Sequence, residues 1–346
     1  MKNNSIGFCL LAALVLALPA AAQVSYHVTD LGTLPGGFIS NAFGVNDLSR
    51  VVGVSNTGAN FNRGFLWTKK TGIRDLGTLG GNFSSAQAIN DASQIVGRAD
   101  TNNSNSDAFL WIGGTMQDLG TLGGSVSQAN AINLDAQTNS YTQIAGWSLT
   151  SASAYHAAVW DAASNIQDLG TLGGANSFSF GNNCIGQVVG AADTVYLGGS
   201  DAFLWDSMHG MQDLGTLGGT MSQANAINCS GVIVGYSTLT GDSQADAFVY
   251  ANGSMQDLGT LGGSYTEAYA INDAGQVVGF SRTTGDADTH AFIWTRQGKM
   301  QDLNKLIPPH SGWDLQSAIS ISEDGKIAGG GIINGASHAF LLIPVD

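Results

Sequence analysis

The chain is poor in charge: Asp, Glu, Lys and Arg make up 11% of its 346 residues, against ~25% in an average soluble domain. Positive charge is scarcest, with 12 Lys+Arg against 26 Asp+Glu and a formal net charge of −14. That balance argues against nucleic acid and anionic membrane as partners, since both demand a Lys/Arg-rich surface. Beyond the N-terminus no apolar run is long enough for a bilayer span, so none is expected. No segment of useful length repeats its apolar residues with helical period, which argues against a helical fold. Gly-x-Ser-x-Gly, His-Glu-x-x-His, P-loop and Cys-x-x-Cys patterns are missing too, and none of the six histidines has metal-motif spacing to another. Catalytic residues can also converge from distant segments of a chain, so those gaps leave a His/carboxylate hydrolase or lyase open.

What is abundant is glycine, at 48 residues, within a chain that is 43% hydrophobic. Lys2, an apolar run from Ile6 to Leu18, Pro19 and Ala20-Ala21-Ala22 together read as a secretory signal peptide. Cleavage after Ala22 leaves residues 23–346 as one secreted domain. That domain is a repeat. Asp-Leu recurs at Asp30, Asp75, Asp118, Asp168, Asp213, Asp257 and Asp302, at intervals of 45, 43, 50, 45, 44 and 45. Each unit holds four short runs rich in β-branched and aromatic residues, separated by Gly/Asn/Asp turns. Four strands at a period near 45 predict an all-β, seven-bladed β-propeller with four-stranded blades.

The third run recurs seven times, from Phe65-Leu66-Trp67 to Phe340-Leu341-Leu342, but the last copy stops before its own Asp-Leu strand. The missing strand stands at the other end, as Tyr26-His27-Val28-Thr29-Asp30-Leu31. It is expected to pair with the C-terminal blade and close the ring, leaving no open sheet edge. The Ala-x-Ala-Ile-Asn run is then innermost and the Asp-Leu strand outermost. One face, the top, carries the variable loops 55–62, 98–106, 148–155, 191–200, 237–245 and 281–289, where a ligand site is expected.

The motifs DLGTLGG, AIND-x-GQVVG, the HAF of His290-Ala291-Phe292, and Leu306-Ile307-Pro308-Pro309 with His338-Ala339-Phe340-Leu341-Leu342 resemble the HAF-repeat family of secreted bacterial proteins. The resemblance covers nearly the whole mature chain. It implies an extracellular repeat protein and no particular activity. The family's frequent terminal anchor is not expected here, and Arg63, Asp107, Asp201 and Asp246 replace the histidine of the motif.

Each chemically suggestive series has a structural reading. The Asp-Leu aspartates suit turns, by accepting backbone N–H bonds. Arg63, Asp107, His156, Asp201, Asp246, His290 and His338 open the third strands and are expected to hydrogen-bond a neighbouring turn or blade. The residues after each Gly-Gly, among them Phe83 and Tyr265, read as packing between blades, or as a hydrophobic ring for a sugar face or peptide. Trp313 and His310 lie in a unique insertion with Pro308 and Pro309, and are candidates for ligand stacking or a plug. Asp286, Asp288 and His290 form the densest ionisable cluster. No Ca²⁺ loop motif is present, so no cofactor is expected, with a loop-bound Ca²⁺ as the alternative. Cys184 and Cys229 both replace the turn aspartate of adjacent repeats. A disulfide between them fits an oxidising compartment, if their Cα atoms come within ~7 Å. The expected function is a monomeric, non-enzymatic binding module for extracellular carbohydrate or protein. The alternative is a polysaccharide hydrolase or lyase on the same face.

Overall fold

The computed structural model describes residues 25–345 apart from 136 and 197. The signal peptide expected over residues 1–22 lies outside them. Among the described residues the regular structure is β-strand, save two single 3-10 turns, Thr284–Asp286 and Leu303–Lys305. No helix there is long and apolar enough to cross a membrane.

The strands pair antiparallel in fours, and one unit shows the pattern. Gly262–Ile271 pairs with Val277–Thr283, which pairs with Thr289–Thr295, which pairs with Lys299–Asp302. The small-residue run is the inner strand and the Asp-Leu segment the outer one. Residues 40–75, 80–118, 123–168, 173–213 and 218–257 repeat this order. The last unit takes Trp313–Ile321, Ile327–Ile333 and Ala336–Val345, and its outer strand is Ser25–Asp30, in register from Ser25 opposite Val345 to Asp30 opposite Phe340.

Inner strands gather around one cavity of about 190 Å³, where Gly44, Ala88, Ala131, Gly181, Ala226, Ala270 and Ser320 meet. Small residues stand there because strands converging on an axis leave no room for larger ones. Each inner strand also shifts register, as between Ala268 and Ala270. Opposite that bulge a Cβ on Gly279 would overlap the Glu267 carbonyl oxygen, which explains the glycine of Val-Val-Gly.

Neighbouring units are joined by buried polar links as well as apolar packing. Ser127, fully buried, accepts the Ala108 N–H at 2.8 Å and donates to the Gly120 carbonyl at 2.7 Å. Ser40 does the same between the first and last units, with Ala339 and Gly32. The phenylalanines of the third strands, Phe65, Phe109, Phe203, Phe248, Phe292 and Phe340, are fully buried. Each contributes about 1.5–3 kcal/mol by leaving water.

The lower face carries a ring of side-chain amides. Asn46 donates to the Asn90 carbonyl, Asn90 to Asn133, Asn133 to Asn183, Asn183 to Asn228, Asn228 to Asn272 and Asn272 to Ser322. Lys326 completes the circuit to the Asp47 carbonyl at 2.9 Å. Beside it runs a second series, in which a turn N–H meets the next unit's carboxylate: Asp47 to Asp91, Cys229 to Asp273, Asp273 to Glu323. Cys184 and Cys229 occupy one step of this series, paired as a disulfide with Cα atoms 5.5 Å apart. That separation lies well inside the reach of a disulfide.

Candidate functional site

On the upper face an opening of about 680 Å³ lies between the last two units. Tyr269 and Phe280 supply aromatic walls, and Arg282, Asp286, Asp288, Thr289, Gln316 and Ser317 supply polar groups. Tyr269 borders the central cavity as well, so the two spaces adjoin. The rings are fixed by their neighbours: Phe280 lies 5.7 Å from Tyr269 and 5.5 Å from Tyr265, and Tyr265 lies 5.8 Å from Tyr236.

Beneath this aromatic row sits Glu267, buried at 8% exposure. It accepts from Asn225 Nδ2 at 2.9 Å and from the Tyr265 hydroxyl at 3.0 Å. Burial pushes its carboxyl above the usual carboxylate range, which those donors only partly offset. Burial, then the Glu267 charge, pushes the Tyr265 and Tyr269 hydroxyls up in turn. The loop acid Asp286 goes the other way. The Ser264 N–H at 2.7 Å, and its hydroxyl, hold its carboxyl below the ordinary value. Asp286 also faces Arg282 at 3.8 Å. The cleft therefore offers flat aromatic faces beside a fixed carboxylate, a guanidinium and an amide. Those groups suit hydrogen bonds to hydroxyls and stacking against a sugar ring.

Of the residues singled out from sequence, Asp286 and Asp288 line this cleft, and Tyr265 buttresses it. The others lie elsewhere. Phe83 sits in the second unit under the Arg98 guanidinium, 5.1 Å from its ring centroid. Trp313, half-buried, packs edge-on against buried Phe340 at 5.9 Å, at the margin of the core. His310 is exposed in a left-handed turn and does not line the cleft. The insertion before Trp313 passes the outer strand of the last unit, where the Leu306 carbonyl accepts the Tyr26 N–H at 2.8 Å. His290 gives Nδ1 to Asp302 at 3.0 Å, as His156 does to Asp168 at 2.7 Å and His338 to Asp30 at 3.0 Å. The Asp-Leu aspartates also accept the N–H two residues on, Gly77 to Asp75 at 2.7 Å for instance.

Where aspartate replaces the histidine, two carboxyls face each other. Burial, then the Asp118 charge, pushes the Asp107 carboxyl up to about 6. Burial, then Asp257, pushes Asp246 up to about 6. Asp201 beside Asp213 moves in the same direction for the same reasons. Among the described residues no group of three or more His, Cys, Asp or Glu is placed to hold a metal ion.

Phe280, Tyr269, Arg282, Gln316, Ser317 and Glu267 were not picked out from sequence. The signal was present at one register. The residue after the invariant second-strand glycine is Val54, Arg98, Trp147, Ala191, Tyr236, Phe280 or Gly330, a varied position inside a regular strand.

No known family profile and no curated protein sequence matches the chain. Solved structures do. The β-propeller domain of the Trilobed protease from Pyrococcus furiosus aligns with a TM-score of 0.55 at 10% identity, over 90% of this chain and 98% of that domain. A puromycin hydrolase aligns at 0.59 and 11% identity, over 87% of this chain and 51% of its own. A Mycobacterium tuberculosis puromycin-hydrolyzing peptidase gives 0.56 and 11%, over 90% and 51%. The fold is a β-propeller. The chain spans about half the length of the two puromycin-hydrolysing enzymes, and at such identities the likeness concerns fold alone.

Proposed function

We propose that this protein is a secreted, seven-bladed propeller, closed by its N-terminal strand, that binds extracellular carbohydrate without transforming it. The carrying observation is the cleft between the sixth and seventh blades, where Tyr269 and Phe280 stand beside Arg282, Asp286 and Gln316. A sugar ring stacks its C–H face on the aromatic wall while its hydroxyls meet the fixed polar groups. The chain's net charge of −14 favours a neutral glycan over uronic or sulfated ones. The HAF-like repeats agree with an extracellular setting.

Binding is favoured over hydrolysis because the cleft's best-placed carboxylate, Asp286, is already engaged by Ser264 and held ionised. A general acid needs the reverse. Glu267 has the raised carboxyl, but Asn225 and Tyr265 occupy its oxygens. A neutral-glycan array followed by calorimetry tests the reading. Binding weakened at least ~10-fold by Phe280→Ala, with bound glycan recovered intact, is expected. Cleavage products, or binding indifferent to Phe280→Ala, would refute it.

A further inference from the structure

An aromatic cluster occupies the same register as this cleft three blades away around the ring. Trp147 follows Gly146 as Phe280 follows Gly279, and Tyr155 precedes His156 as Thr289 precedes His290. Across the blade boundary Phe178 stands opposite Ala191, the register at which Ser317 stands opposite Gly330. In the third and fourth blades these positions are all aromatic. Tyr155 lies 5.6 Å from Phe178 with rings near parallel, and Trp147 meets them edge-on at 5.4 and 5.8 Å. Packing between blades does not require this: the corresponding places in the sixth and seventh blades hold Thr289 and Ser317. Tyr155 is 36% exposed, and the adjoining loop of the fourth blade presents Tyr196 at 78%.

The polar groups beside the rings are held in place. Asn176 donates its N–H and its Nδ2 to Asp193 at 3.0 and 2.9 Å, and its Oδ1 accepts the Tyr155 N–H at 3.1 Å. The carboxylate of Asp193 here, like Asp286 and Asp288 in the cleft, disfavours a polyanion at both places.

Resting on the carbohydrate reading above, we infer that the partly exposed Trp147–Tyr155–Phe178 cluster is a second sugar subsite, and that the ligand is an extended neutral polysaccharide crossing the mouth of the central channel. Short glycans occupy the cleft alone. Longer ones reach both subsites, and the second contact becomes intramolecular.

The test uses the mature protein with short and long neutral cello- and chito-oligosaccharides, read by calorimetry. Wild type is expected to bind long chains more tightly than short ones. Tyr155→Ala, at an exposed position, removes that preference by about 3- to 10-fold, the worth of one aromatic contact, and leaves short-chain binding unchanged. Tyr155→Phe retains the preference. Phe280→Ala weakens short and long chains alike. If Tyr155→Ala leaves the length dependence intact while Phe280→Ala still weakens binding, the second subsite is wrong and the first reading stands. If no neutral glycan binds, both fall. If Tyr155→Ala instead converts a dimer to a monomer on gel filtration, the cluster is a self-interface and the inference is overturned.

Discussion

Replacing Tyr26 by alanine attacks the N-terminal strand that pairs with Ala336–Val345. The side chain is 1% exposed and packs in one cluster with Leu303, Leu306, Leu315 and Phe340. Its hydroxyl is pushed up to about 12 by burial. Truncating a buried aromatic removes its transfer free energy and leaves a cavity, together about 3–5 kcal/mol. For a domain of this size that lowers the melting temperature by about 4–7 °C. Differential scanning calorimetry at neutral pH is the assay. Tyr196→Ala, at a position 78% exposed, serves as control and is expected within ~0.5 kcal/mol of wild type. The reasoning is refuted if Tyr26→Ala melts with the control. The six-residue pairing with Ala336–Val345 would then add nothing to the cooperative unit.

Facing carboxyls predict stability that grows in acid. The folded values of Asp107 and Asp246 are raised to about 6 from 3.8. The native state therefore holds these protons more tightly, and the stability they lend is complete below pH ~4 and lost as pH rises through ~6. Asp107→Asn with Asp246→Asn is expected to raise the melting temperature at pH 7.5 and flatten the gain between pH 7 and 5, each site giving ~1 kcal/mol after screening. A wild-type protein that weakens steadily over that interval, with the variant matching it, refutes the assignment. The Cys184–Cys229 bridge spans 45 residues. Its reduction is expected to cost about 2–4 kcal/mol without unfolding the chain, because Asn183 still reaches the Asn228 carbonyl at 3.2 Å. Calorimetry with and without reductant reads this, and an unchanged melting point tells against the bridge.

The architecture was legible because one rule, repeated, sets it. Short runs, a recurring glycine and an Asp-Leu turn place each strand, and the split last repeat announces which strands pair. The turn role of the aspartates was legible for the same reason, since an Asx turn involves residues two apart. The cleft was not. It is built from side chains of two units at one register, and Phe280 reads from sequence as an ordinary β-former. Trp313 stood out in sequence as unique in the repeat array, and the structure sets it at the start of the last inner strand with its ring edge-on to Phe340. The asparagine circuit escaped notice because each Asn also caps its own turn, as Asn272 does by accepting the Gln276 N–H at 3.0 Å. Nothing local distinguishes that duty from its reach to the next blade.

Ser25 and Val345 stand opposite one another at the foot of the last blade, on the side of the asparagine circuit and away from the cleft. A linker grafted to either end would leave from the same spot on the rim. Tethered there, the protein would hold the upper-face cleft towards the solution, and joining residue 25 to residue 345 would allow new chain ends at the lower turns without disturbing the upper loops.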